Sequence, residues 1–355
     1  MPHRLLFVED DKSQLSLLQD ALKDWNTVHG DKSFELQTTD NYESALRDLS
    51  TTRYDAALLD LRLPGKKGLA GQLLADLCVA QYGIPAAIIS GHPGDYDVSR
   101  WNGVVKVFNK GDSGAYTAAV DWFGELSHMM KILAGTRKKI QQQGAAVFWK
   151  QVWPRWGAYE KLSGIQDEEL IGIVSRQYAS HIAEILGLDS EAKWHPFENY
   201  IRPALLETRP QTGDIFKLDD MLWVVLTPQC DMVTRKAKSV LLACCDSNPP
   251  IDTWKQNIAS LKSEWSKQRK SAEDFFGRLV NQAQPASHFL PPLEGGQPLM
   301  VDFKHLRTIS LSDLEDQLSA RIASVAPPFL PNLTQRFGAY VSRVGQPNID
   351  PGHLS

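Results

Sequence analysis

The 355-residue sequence has only four cysteines, and no two of them form a Cys-x-x-Cys pair. That excludes a disulfide-stapled scaffold and makes a reduced, cytoplasmic protein the expectation. Long apolar runs are also missing. Nothing approaches the ~18 uninterrupted apolar residues that a membrane span needs. The opening segment meets Glu9 after only four apolar residues, Leu5 to Val8, whereas a secretory core needs about 7–15. Neither a signal peptide nor a membrane partner is expected. An excess of positive charge is absent too, with 38 Lys+Arg against 42 Asp+Glu and a net charge of −4. This argues against a protein built around a nucleic-acid polyanion, although a local basic patch remains compatible with it. There is no internal repeat and no low-complexity tract. The 43% hydrophobic and 23% charged fractions are those of an ordinary globular chain, and the length implies two or three domains.

The first ~125 residues alternate short apolar runs with helical patterns. Strands are expected at Leu5–Val8, Phe34–Thr38, Ala56–Leu59, Ala86–Ile89 and Val104–Phe108. Helices are expected at Ser13–Leu22, Tyr42–Leu49, Leu69–Ala80 and Ala115–Leu133. Strands alternating with helices imply an α/β fold, a five-stranded parallel doubly wound (flavodoxin-like) sheet. In such sheets the ligand crevice lies beyond the carboxyl ends of the strands. The residues found there are Glu9, Asp10 and Asp11 after the first run, Asp60 after the third, Ser90 after the fourth and Lys110 after the fifth. Converging carboxylates repel one another unless a cation neutralises them. Carboxylate oxygens suit Mg²⁺, which leaves coordination positions for water and phosphate oxygens. With a hydroxyl and an ammonium beside them, these groups describe a crevice that accepts a phosphoryl group on aspartate.

Four stretches carry a resemblance: Phe7-Val8-Glu9-Asp10-Asp11, Leu58 to Gly68, Ile88-Ile89-Ser90-Gly91, and Phe108 to Asp112. Residues 1–130 resemble the receiver domains of two-component response regulators, including the spacing of Asp60, Pro64 and Gly68. The resemblance implies that Asp60 is the phosphoacceptor and a histidine kinase the donor. It implies Mg²⁺ held by Glu9, Asp10, Asp60 and the backbone carbonyl of Arg62. Ser90, Gly91 and Lys110 would receive the phosphoryl group and switch with it. Arg62 and His92 stand where side chains could flank that group and tune its hydrolysis. Two positions depart from the family. Val107 stands where an aromatic switch residue is usual, and Gly111 replaces the common proline.

The expected division is a receiver at 1–128, a helical connector at 129–195 and an α+β effector at 196–355. Residues 1–130 carry 12 basic and 18 acidic side chains, whereas residues 131–160 carry 6 basic and one acidic. The connector's Arg137-Lys138-Lys139, with Trp149, Trp153 and Trp156 nearby, is compatible with nucleic-acid contact, but an exposed flank beside a tryptophan-rich core is the plainer reading. No helix-turn-helix with a basic recognition helix is found. The last receiver helix is expected to run on into the connector and to support a homodimer.

In the effector, Gly213-Asp214-Ile215 with Val224 to Pro228 resembles the start of toxin-type endoribonucleases and implies a small β-barrel-like core. Ser239–Cys244 and Leu299–Phe303 are further strands. Trp254–Gln282, Leu311–Val325 and Leu333–Val344 are expected helices, the first with Trp254, Leu261 and Trp265 on one face. Cys230 and Asp231 follow an apolar strand. With His288 and Asp302, Cys230 could form a thiol nucleophile, against the plainer reading of a small packed residue. Cys244 and Cys245 with Cys230 and a histidine are a weaker zinc alternative. The output is expected to be a downstream protein interaction, with an enzyme or an atypical DNA binder as alternatives.

Overall fold

Two sheets organise the chain, one in each of two compact units, Met1–Leu186 and Gly187–Ser355. The computed structural model describes residues 2–101, 103–161, 164–187, 194–246, 249–293 and 296–344.

The first unit opens with β1 (His3–Val8), α1 (Lys12–Val28), β2 (Phe34–Thr39), α2 (Tyr42–Thr51), β3 (Ala56–Asp60), α3 (Ala70–Ala80), β4 (Ala86–Ser90), β5 (Val105–Asn109) and α4 (Ala115–Glu125). The strands pair in parallel in the order β2-β1-β3-β4-β5. The expected doubly wound sheet is therefore present, and both faces are covered. Leu6, Val8, Ala57, Leu59 and Ile88 pack with α2 and α3, while Leu5, Phe7, Leu58 and Ile89 pack with α1 and α4. Burial on both faces is why these strands read as continuous apolar runs.

The β4–β5 crossover departs from the alternation. Among the described residues, 91–104 hold one 3₁₀ turn at Pro93–Asp95 and no α-helix. Pro93, Gly94 and Gly103 interrupt any helical run there. The loop covers the sheet instead with Tyr96 and Trp101, and Asp76 of α3 pins it through Trp101 Nε1 at 2.7 Å and Arg100 at 2.7 Å.

The expected helix Ala115–Leu133 is two helices. α4 ends at Glu125, and Leu126 takes ψ −4° while its N–H bonds to both Trp122 and Phe123. That 3₁₀-like tightening separates α4 from α5 (Ser127–Val147). After a widened π turn at Phe148–Val152 come α6 (Trp156–Tyr159) and α7 (Asp167–Gly187). α5 and α7 form a helical hairpin around Val147, Val152 and Tyr159, with Ile173, Val174, Tyr178 and Ile182 packed on them. Up to Leu186 this segment belongs to the first unit.

The second unit runs β6 (Tyr200–Ile201), β7 (Asp214–Leu218), β8 (Met221–Val225), α8 (Gln229–Val233), β9 (Ser239–Asp246), α9 (Ile251–Leu261), α10 (Ser266–Val280), β10 (Ser287–Leu290), β11 (Leu299–Ser310), α11 (Leu311–Glu315), β12 (Arg321–Val325) and α12 (Leu330–Val341). Its strands are all antiparallel, in the order β10-β11-β9-β8-β7-β12-β6. The α+β class holds, but the sheet is open among the described residues. β10 and β6 are its edges, so the expected barrel is not formed.

Two expected helices are corrected. Trp254–Gln282 is a hairpin of α9 and α10, turned where Ser263 Oγ accepts the Trp265 N–H at 3.2 Å. Trp265 is 76% exposed, so it does not continue the face of Trp254, which packs against Phe276 instead. Of Leu311–Val325, only the first turn is α-helical, and Arg321–Val325 is a strand between β7 and β6. Burial decides that. Arg321 forms a 2.9 Å ion pair with the fully buried Asp214 of β7, whose other oxygen accepts from Ser324. A buried pair needs both partners satisfied, and only the strand supplies both.

Candidate functional site

Glu9 and Asp10 follow the last residue of β1, and Asp60 ends β3, next to it in the sheet. The two strands therefore deliver their acids to one crevice. One ligand oxygen from each of Glu9, Asp10 and Asp60 lies within 4.8 Å of the others. Among the described residues this is the one such group of three potential ligands. Glu9 and Asp60 are buried, while Asp10 is exposed. A donor set of hard oxygens that is open on one side fits a divalent ion retaining water, as Mg²⁺ does.

Lys110, just past β5, reaches into the crevice. Its Nζ lies 2.6 Å from Glu9 Oε2 and 3.3 Å from Asp60 Oδ1. Burial nonetheless dominates: it raises both acids above the usual carboxylate range, with Lys110 pulling the other way in each case. The backbone N–H groups of Leu61 and Arg62 favour the charged Asp60 carboxylate, as Lys110 does. Ser90, at the end of β4, is 3% exposed, and its Oγ accepts the His92 N–H at 3.1 Å. The Lys110 N–H donates to the Ser90 carbonyl at 2.9 Å, which keeps the two loops in register. At Gly91 a Cβ would meet nothing within 4 Å, so the approach beside Ser90 is open.

The remaining expected positions are accounted for as follows. The Arg62 side chain pairs with Asp95 at 2.6 Å, joining the loop after β3 to the one after β4. His92 is exposed. Val107 faces the α2–α3 side, while Phe108 faces the other side near Trp122, so Phe108 does not stand in for an aromatic at 107. Asp11 is not one of the three clustered acids. It caps α1, accepting from the Ser13 N–H at 2.8 Å.

Two residues escaped the sequence reading. Tyr116, in the first turn of α4, donates to Gln14 Oε1 at 2.9 Å. Burial and the charges of Glu9, Asp60 and Asp11 raise its phenol well above its usual value. Gly71 lies in α3 against the end of β3, where a Cβ would sit 2.0 Å from the Asp60 carbonyl oxygen. Neither has a spacing signal, because both act through packing between elements distant in sequence.

Comparison with known proteins comes down to solved structures, since no protein-family model and no curated protein matches the chain. A CheY-like response regulator receiver domain from Methylobacillus flagellatus is 20% identical, with 35% of this chain and 99% of that one covered, at a TM-score of 0.29. The signal receiver domain of a Luxo repressor protein from Vibrio parahaemolyticus is 16% identical over 38% of this chain and 98% of that one, at a TM-score of 0.30. The response regulator TrrA from Thermotoga maritima, in complex with Mg²⁺-BeF, is 21% identical over 35% of this chain and 98% of its own, at a TM-score of 0.28. At these identities the likeness concerns the fold alone, and the chemistry rests on the side chains above.

The expected effector site is not assembled. Cys230 is exposed in α8, and its thiol has Asp231 Oδ1 at 3.7 Å. His288 lies buried on β10, with β11 and β9 between it and β8, the strand before α8. Three strand spacings of ~4.8 Å separate β10 from β8 by roughly 14 Å, and no imidazole is among the described hydrogen-bond partners of the Cys230 thiol. Asp302 instead accepts the Lys304 N–H at 2.9 Å. Cys244 and Cys245 face opposite sides of the sheet, so they cannot share a zinc ion. In the connector, Arg137 donates to the Gly83 carbonyl, Trp156 packs on the hairpin core, and Trp149 and Trp153 are exposed.

Proposed function

We propose that this chain is a two-component response regulator. Asp60 accepts a phosphoryl group from the phosphohistidine of a histidine kinase, and the second unit carries the output. The observation that carries this reading is the convergence of Glu9, Asp10 and Asp60 beside the Lys110 ammonium.

An Asp60 carboxylate oxygen attacks phosphorus in line. The new O–P bond forms as the P–N bond to the donor imidazole breaks, and the ring nitrogen keeps the electron pair. Glu9, Asp10, Asp60 and the carbonyl of Arg62 would hold Mg²⁺, which supplies positive charge to the phosphoryl oxygens. The N–H groups of Leu61 and Arg62 orient the attacking carboxylate. Lys110 is placed to turn from the carboxylates toward a phosphoryl oxygen, and Ser90 Oγ to exchange the His92 N–H for a bond to another. The modified side chain carries about −1.5 to −2 charges, and the loops bearing Ser90 and Lys110 follow it. With Val107 in place of an aromatic, that movement is read out through the loops themselves.

The output is read as a protein interaction. The thiol assembly is absent, and Arg137 of the basic cluster is engaged within its own unit. The reduced thiols fit a cytoplasmic location. The test is incubation with acetyl phosphate and Mg²⁺ followed by intact mass measurement. One phosphoryl group is expected on the wild type and none on Asp60→Asn or without the metal. An unchanged wild-type mass, or full labelling of the variant, overturns the reading.

A further inference from the structure

Between α10 and the β10–β11 pair, the second unit leaves a cavity of about 340 Å³. Small-molecule sites run from ~300 to ~1,000 Å³. The floor of the cavity is the sheet. Phe289 and Met300 stand opposite each other across β10 and β11 and so share a face, and Ser287, two residues earlier, shares it too. The wall is α10, whose Phe275, Arg278 and Leu279 fall at i, i+3 and i+4, on one side of the helix.

The turn that joins wall to floor is held on both sides. The Gln282 carboxamide accepts the Phe289 N–H at 2.7 Å and donates to the Phe289 carbonyl at 3.0 Å. Arg336 of α12 donates to the carbonyls of Gln284 and Ser287 at 2.6 and 2.9 Å. Gln282 also takes a φ of 54°, a left-handed backbone that a residue with a side chain adopts at a cost. Walls fixed in this way do not collapse onto the space between them, and a ligand meets a site already shaped.

The polar groups select the charge of that ligand. Arg278 is exposed, and its guanidinium forms no hydrogen bond or ion pair with another described residue. Ser287 Oγ donates to Gln284 Oε1 at 3.3 Å, and both residues line the cavity. Among the described residues no acidic side chain lines it. A cation would be repelled by Arg278, and a wholly apolar ligand would leave the guanidinium unused. A carboxylate matches its planar fork with two parallel hydrogen bonds. Phe275, Leu279, Phe289 and Met300 suit a flat or branched apolar body, and the flexible thioether of Met300 adapts to either.

We propose that this cavity binds a small organic carboxylate with an aromatic or branched aliphatic body, the carboxylate on Arg278 and the body between α10 and the Phe289–Met300 floor. The site lies wholly in the second unit and owes nothing to the chemistry of Asp60. A cation in the last turn of α10 also suits the negative end of the helix. That role alone would act on stability and leave affinity untouched, so both are measured.

The test uses the full chain with ¹³C-methyl methionine, titrated with 3-phenylpropionate and with 4-methylpentanoate and followed by calorimetry and methyl NMR. The chain has six methionines, and Met300→Leu assigns the resonance of interest. At least one carboxylate is expected to saturate a single site and to shift the Met300 methyl. The uncharged 3-phenylpropanol, and propionate, which lacks the body, are each expected to bind at least tenfold more weakly. Arg278→Gln is expected to weaken binding about tenfold or more, as loss of a charged hydrogen-bonding partner does. Ala283→Trp, at an exposed position on the cavity, is expected to block it. Both variants should keep the wild-type urea midpoint to within a small shift. Failure of both carboxylates to saturate, an alcohol that binds as tightly as the acid, an affinity unchanged in Arg278→Gln, or saturation that leaves the Met300 methyl unmoved overturns the proposal.

Discussion

Glu9 and Asp60 are acids that burial drives toward their protonated forms, and Lys110 offsets this only in part. A carboxyl whose folded pKa exceeds its unfolded value binds its proton more tightly in the folded chain. Each therefore carries a stability penalty that is absent at low pH and complete once the pH passes the folded value. At neutral pH the cluster strains the fold, and a divalent cation held there would relieve it. Asp60→Asn is expected to stabilise the metal-free protein by on the order of 1 kcal/mol, or a few degrees of melting temperature. Mg²⁺ should raise the wild-type melting temperature by more than that of the variant; an equal rise in both would mean that the ion binds elsewhere. His288 behaves in the opposite way. It is 4% exposed, its Nδ1 has no partner, and burial together with the nearby Arg336 guanidinium lowers its pKa to about 4. The unfolded chain then takes up a proton that the folded one refuses. The stability present above the ordinary histidine value near 6.5 is lost as the pH falls toward 4, by up to roughly 3 kcal/mol. Urea unfolding at stepped pH should show this slope, and His288→Phe should flatten it.

At the scale of the element, α3 is held against the end of β3 by the absence of one side chain. Its N-terminal turn packs so closely that the Gly71 N–H donates to the Leu61 carbonyl at 3.1 Å, and a Cβ would overlap the Asp60 carbonyl oxygen. Gly71→Ala must push α3 away or shift Asp60. It is expected to cost about 1–3 kcal/mol in urea unfolding and to slow acetyl phosphate labelling. Gly71→Ala with wild-type stability and rate would mean that the turn relaxes freely. This contact also marks what could be read in advance. The parallel strands were legible because burial on two faces makes them unbroken apolar runs, and the polar residue ending each run is the one the crevice uses. The acids that follow the first and third runs, Glu9, Asp10 and Asp60, come together beside Lys110. Arg321–Val325 was not, because a short apolar segment after a helical turn fits either period until its pairing with β7 is known. The hairpin of α9 and α10 was missed because one polar turn around Ser263 does not interrupt an amphipathic count. No helix was expected between Ala86–Ile89 and Val104–Phe108, and among the described residues the β4–β5 crossover has no α-helix, with Pro93, Gly94 and Gly103 along it.

At the scale of the whole molecule, the division at Leu186/Gly187 makes the hairpin part of the first unit. Only Leu126 separates α5 from α4, Met130 is packed in the sheet's core, and Arg137 bonds to the carbonyl of Gly83 beyond α3. A fragment of residues 1–186 therefore retains the complete crevice, both faces of its sheet and the hairpin. It is expected to unfold in one cooperative urea transition and to label on Asp60 at a rate close to that of the intact chain. A shorter fragment ending at Glu125 removes Met130 from the face lined by Leu5 and Phe123, opening a cavity where a buried methionine stood. By the usual cost of large-to-small changes it is expected to be less stable by about 2–5 kcal/mol. If the shorter fragment matched the longer one in midpoint and slope, the hairpin would be an appendage. If the longer one failed to fold, the second unit would be a required partner in folding the first.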